Sequence, residues 1–132
     1  MKSVEQDQQG WGNYPVESSN CFRPERMRDV QVVCRNSDNI IPFGLGRSYG
    51  DAALNKGHDT LLYRRMKRFL SFDLPTGVLE CEGGVSLAEI INFSLSKGYF
   101  VPVTPGTKFV TVAGAIAADV HGKNHHRDGC FS

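Results

Sequence analysis

The chain has 132 residues, enough for one modest domain with its own core, and 40% of them are hydrophobic against 22% charged. Its 15 basic side chains nearly balance 14 acidic ones, and a formal charge of +1 gives no electrostatic case for nucleic acid or an anionic membrane as partner. No apolar run reaches signal-peptide or membrane-spanning length, and Cys21, Cys34, Cys81 and Cys130 lack the short paired spacing of a zinc site or dithiol motif, so reduced thiols and a cytoplasmic location are expected.

In chain order, residues 1–20 are polar and rich in turn formers, which predicts an irregular arm. Residues 24–34 predict a short helix with Pro24 at its first position, where the missing N–H costs nothing. Asn36 to Asn39 break it, and Ile40 and Ile41 begin a strand. Leu61 to Tyr63 predict another. Phe69 to Asp73 and Val78 to Glu82 flank Pro75-Thr76-Gly77, the pattern of a hairpin.

Ser86 and Glu89 form a capping box before Leu87, Ile90, Ile91 and Leu95, an apolar helical face that Gly98 terminates. Val101 to Val103 predict a short strand, and Thr111 can cap a helix running to Ala118. Alternation of helices and strands makes the class α/β or α+β.

Two glycine clusters carry the chemistry. Gly44-Leu45-Gly46-Arg47-Ser48-Tyr49-Gly50 follows a strand, and its glycines permit positive φ and let N–H groups converge on an anion. Arg47 adds charge and Ser48 a hydroxyl. The second cluster, Pro105-Gly106-Thr107 followed by Thr111 to Ala115, feeds a helix of small residues whose N-terminal N–H groups suit a phosphate. Taken singly, each cluster is equally well read as packing: a glycine-rich turn in one case, an Ala/Gly helix against a sheet in the other. Together they suit a diphosphate.

Asp119-Val120-His121-Gly122-Lys123-Asn124-His125-His126 comes next. Three histidines this close raise a metal site, but adjacent His125 and His126 cannot easily both aim at one ion while Gly122 turns the chain, so no metal is expected. His121 can move protons near neutral pH, and Lys123 can stabilise an anion.

These motifs in this order, with Gly10-Trp11-Gly12-Asn13-Tyr14-Pro15 ahead of them, resemble the FAD-linked oxidases with an FAD-binding domain of the p-cresol methylhydroxylase/vanillyl-alcohol oxidase type. Within that family the likeness is to the decaprenylphosphoryl-β-D-ribose 2-oxidase-like group. It covers the chain from about residue 10 onward.

The resemblance implies an α+β domain of two subdomains with FAD between them. Residues 21–132 would supply the N-terminal subdomain, a small mixed sheet with flanking helices, and the start of the second. Gly44, Leu45, Gly46, Arg47, Ser48, Tyr49, Gly50, Pro105, Gly106, Thr107, Thr111, Gly114 and Ala115 would contact FAD. Asp119 and Asn124 would lie near its isoalloxazine, and His121 and Lys123 would serve catalysis. The implied reaction is hydride transfer from a CH–OH carbon to the flavin, on a small-molecule or lipid-linked sugar substrate such as a polyprenyl-phosphate pentose.

Arg47 stands where covalent members carry a flavin-linked histidine, and Phe109 where doubly linked members carry cysteine, so non-covalent FAD is expected. Ala113-Gly114 replaces the usual Gly-Gly, and Phe43 an arginine often found before the first glycine. The chain stops where family members continue, so it is expected to be inactive alone, with self-association open to it as a way of covering apolar surface. The alternatives are an FAD oxidase of another small alcohol or aldonolactone, and a non-catalytic nucleotide-diphosphate module.

Overall fold

A computed structural model describes residues 1–131, and the chain falls into two units, Met1–Met66 and Lys67–Ser132. In the first, strands β1 (Val4–Gln9), β2 (Val16–Phe22), β3 (Ile40–Phe43) and β4 (Asp59–Leu62) form one sheet in the order β1-β2-β4-β3. β1 runs antiparallel to β2, while β2 and β3 both run parallel to β4. Helix α1 (Met27–Asn36) makes the crossover between β2 and β3. Parallel strands need such a connection, since a tight turn can only reverse the chain. Cys21, Phe43 and Leu62 form the core, with Ala53 and Leu54 packed on it.

The irregular arm expected over residues 1–20 is overturned. β1 pairs with β2 along its whole length, from Val4 opposite Cys21 to Gln9 opposite Val16. Val-Glu-Gln-Asp-Gln-Gln has no apolar alternation because β1 is an edge strand, where polar residues discourage pairing with other chains. Its buried residue is Gln8, whose amide donates to Cys21 Sγ at 3.4 Å. Cross-strand pairing outweighs local propensity here.

Helix α1 starts at Met27 rather than Pro24. The Asp29 carboxylate accepts from the backbone N–H of Arg26 at 3.0 Å and of Glu25 at 3.2 Å, which holds Arg26 in an extended cap conformation.

In the second unit, β5 (Phe69–Asp73) and β6 (Val78–Cys81) form the expected antiparallel hairpin. Phe69 stacks on Phe93 at 4.8 Å, and Phe72 meets the same ring edge-on at 5.2 Å. Helix α2 (Leu87–Ser94) starts at its capping box: Ser86 Oγ accepts from Glu89 N at 3.2 Å, and Glu89 Oε2 accepts from Ser86 N at 2.9 Å. Leu87 is fully buried, but Leu95 falls in a 3-10 turn (Leu95–Lys97) and is exposed, so the apolar face ends earlier than its spacing predicts. Gly98, at φ 81°, stops the turn.

The strand expected at Val101 to Val103 is absent. Among the described residues no strand pairs with it, and the Pro102 carbonyl accepts instead from Asn124 Nδ2 at 3.0 Å. Helices α3 (Val112–Ala117) and α4 (His125–Asp128) complete the described chain. The whole is α+β with a small mixed sheet, as the sequence predicts. No helix among the described residues is long and apolar enough to cross a membrane.

Candidate cofactor-binding site

The first glycine loop begins where β3 ends at Phe43. Gly46 sits at φ 65°, a left-handed turn that a side chain would oppose. The β1–β2 turn supports this loop from one side. A Cβ on Gly10 would lie 2.5 Å from Ser48 O and 2.9 Å from Gly50 O, and Trp11 N donates to Ser48 O at 2.9 Å. The Arg47 guanidinium lies 5.5 Å from the centre of the Trp11 ring. Gly10 and Trp11 therefore shape the loop, which their place in a stretch read as an irregular arm concealed.

Held this way, the loop presents donors. Among the described residues, no backbone carbonyl accepts from the N–H groups of Leu45, Gly46, Ser48, Tyr49 or Gly50. Unclaimed N–H groups in a left-handed turn beside an arginine form a concavity suited to an anion. The loop also walls a cavity of about 300 Å³, closed on another side by the end of β1. These features fit one phosphate-bearing half of FAD.

The second loop differs from expectation at one point. The N-terminal N–H groups of α3 are already engaged: Val112 N donates to Val85 O at 2.8 Å, Ala113 N to Gly83 O at 3.0 Å, and Ala115 N to Thr111 O at 2.8 Å. Gly114 N donates to Thr111 Oγ1 at 3.1 Å, the expected cap. α3 has six residues, and the N–H groups of Val112, Ala113, Gly114 and Ala115 at its start all have partners within the chain. Those of Val112 and Ala113 bond to the segment before α2, which the sequence does not place beside α3.

The donors with no backbone partner among the described residues lie earlier, at Gly106, Thr107 and Lys108. A Cβ built on Gly106 meets no atom within 4 Å, so this glycine leaves open space in front of the chain.

The structure brings the histidine segment against this second loop. Gly122 is buried, and a Cβ there would lie 2.5 Å from Thr104 O and 2.7 Å from Asn124 Oδ1. Asn124 Nδ2 reaches Pro102 O at 3.0 Å and Asp128 Oδ2 at 2.7 Å. His125 Nδ1 lies 3.0 Å from Gly122 O, and His121 bridges to Cys130 across an antiparallel pair.

His121 and Lys123 are both exposed beside this loop, and Asp119 takes a left-handed φ of 41°. The imidazole centres of His121 and His125 are 5.2 Å apart. Among the described residues, no group of three or more His, Cys, Asp or Glu could hold a metal ion.

A family model described as an FAD binding domain matches residues 21–132. The chain is 40% identical over 127 residues to decaprenylphosphoryl-beta-D-ribose oxidase of Mycolicibacterium smegmatis, covering 92% of this chain and 28% of that protein. It is 26% identical over 102 residues to D-lactate dehydrogenase of Anaerostipes hadrus, covering 76% and 22%. Among solved structures, cholesterol oxidase from B. sterolicum superposes with a TM-score of 0.77 at 16% identity, covering 91% of this chain and 24% of that one. Alkyldihydroxyacetonephosphate synthase gives a TM-score of 0.70 at 20% identity, covering 86% and 24%. At these identities the two structures speak for the fold alone. The chain thus spans between 22% and 28% of the length of these four relatives.

Proposed function

Since this chain belongs to the FAD-binding-domain family, we propose that it is the FAD-binding portion of an oxidoreductase that oxidises a CH–OH group of its substrate. The observation that carries this reading is the first glycine loop, with five unclaimed N–H groups beside Arg47. Gly44 to Gly50 would hold the diphosphate, with Arg47 and Ser48 neutralising and hydrogen-bonding it. Pro105, Gly106 and Thr107 would line the cofactor through the open loop in front of α3. Thr111, Gly114 and Ala115 act one step back, by fixing where that loop begins and ends.

Bound FAD supplies the capacity to accept a hydride from a carbinol carbon, which no side chain can do. The chain's part is to orient and to handle the proton. An imidazole nitrogen of His121 would accept the hydroxyl proton, while the Lys123 ammonium steadies developing negative charge on the substrate oxygen. Asp119 and Asn124 would set the position of that segment, the latter through its bond to Pro102 O.

The two sequence relatives named above act, by their names, on a decaprenylphosphoryl ribose and on D-lactate, both of which carry a CH–OH group. We favour a sugar alcohol, on the higher identity of the first. The cofactor is non-covalent on this reading, because neither Arg47 nor Phe109 offers the imidazole or thiol that a covalent link needs.

The test is the visible spectrum of the purified protein before and after acid precipitation. A flavin spectrum that passes into the supernatant supports dissociable FAD. Flavin retained in the pellet overturns the non-covalent assignment alone. A colourless protein that takes up no added FAD overturns the whole reading and favours a nucleotide-diphosphate module.

A further inference from the structure

The cavity against the first glycine loop has a second cationic wall. Arg64 lines it, from the 3-10 turn that follows β4, together with Gly46 and Arg47 of the loop and Asp7, Gln9 and Asn13 from the β1 end. Its neighbour Arg65 is spent on Glu25, with Nη1 2.5 Å from the carboxylate. Arg64 has no such partner: among the described residues it makes no hydrogen bond and no ion pair. Gln9 Nε2 donates to Asn13 Oδ1 at 2.8 Å, which orients the Asn13 amide and leaves its Nδ2 as a donor.

Two guanidiniums, one carboxylate and the side-chain amides of Gln8, Gln9 and Asn13 are among the groups that line a volume of about 300 Å³, with a formal charge of +1. A surface arginine ordinarily finds a carboxylate or points away into water. Here it is placed at a concave polar wall shared with Leu45 and Gly46, two of the loop residues whose N–H groups no backbone carbonyl accepts among the described residues.

We propose that this cavity is a phosphate-group site in which Arg64 and Arg47 are the paired cations and Asn13 an added donor. The planar fork of a guanidinium matches two phosphate oxygens at once, which a lysine in the same place cannot do. Asp7 on the same wall offsets one of the two positive charges. The inference rests on reading the first glycine loop as a phosphate cradle, and it adds residues outside both glycine clusters. The phosphate belongs either to the FAD diphosphate or to a phosphate-bearing substrate.

The experiment compares the wild-type chain with Arg64→Ala, Arg64→Lys and Arg65→Ala. Pyrophosphate binding is measured by calorimetry, FAD binding by flavin fluorescence, and folding by circular dichroism. Arg64→Ala is expected to weaken pyrophosphate by roughly tenfold to a hundredfold, the loss expected for a charged hydrogen-bonded contact. Arg64→Lys recovers only part of it, and Arg65→Ala leaves binding unchanged.

If FAD weakens in parallel, the site holds the cofactor's diphosphate. If FAD is unaffected while pyrophosphate is lost, the site holds another ligand's phosphate. Wild-type protein that binds no pyrophosphate, or an Arg64→Ala variant that binds it as well as wild type, overturns the proposal. A chain that binds pyrophosphate but no flavin leaves this site standing and removes the flavin reading instead.

Discussion

Gly122 lets two separate loops touch. A methyl group there would meet a backbone oxygen, Thr104 O, at 2.5 Å, and a backbone oxygen cannot rotate away as a side chain can. Gly122→Ala must push the 121–124 turn away from the Thr104–Thr107 loop. We expect it to cost about 1–3 kcal/mol, the usual range for overpacking, and to lower the thermal midpoint measured by circular dichroism. An unchanged midpoint would mean that the two loops do not meet as described. The sequence marks His121 and Lys123 by their chemistry, but Gly122 only as a turn, since its requirement comes from Thr104, 18 positions earlier. Arg64 was equally hidden: an arginine in a run of arginines carries no signal until a cavity wall forms around it.

At the scale of elements, legibility followed how local the determining contacts are. The capping box of α2, the Thr111 cap of α3 and the β5–β6 hairpin depend on nearby residues, and all appear as expected. β1 was missed because its partner strand, not its own pattern, makes it a strand. α4 was missed because four residues, two of them histidines, give no periodicity to detect.

The start of α3 shows how distant neighbours can take up groups that a local reading leaves free. Its N–H groups are bonded to Gly83, Val85 and Thr111. Thr111→Ala should therefore act as a lost cap, costing about 1 kcal/mol of stability with FAD uptake retained by the folded protein. A variant of unchanged melting temperature that no longer takes up FAD would make Thr111 a direct ligand instead.

At the scale of the molecule, charge is nearly balanced, and two carboxylates of the second unit contribute to the acid response. Hydrogen bonds from the Arg68 guanidinium hold Glu82 below the ordinary value of 4.5. The backbone N–H of Ser86, its hydroxyl and Lys67 do the same for Glu89. Both pKa values are lower folded than unfolded, so below 4.5 the unfolded chain takes up protons first. Their stabilisation is present above 4.5 and is lost as pH falls through the folded values. Thermal midpoints should hold from neutral pH to about 5 and decline below it. Glu89→Gln, which keeps the cap acceptor without the charge, should flatten part of that decline. A profile as steep in the variant as in the wild type would remove Glu89 from the acid response.

By itself the sequence determined the α+β class, the family and the two glycine loops, because these rest on short motifs whose backbone and chemical demands lie within the motif. Tertiary structure alone decided that the N-terminal stretch is a strand bracing the first loop, that the first N–H groups of α3 have partners in the segment before α2, that Gly122 joins the histidine segment to the second loop, and that Arg64 faces a cavity. Each of those depends on a partner distant in sequence. A hydrogen bond or a steric approach between remote residues leaves no periodicity, spacing or composition in either segment alone.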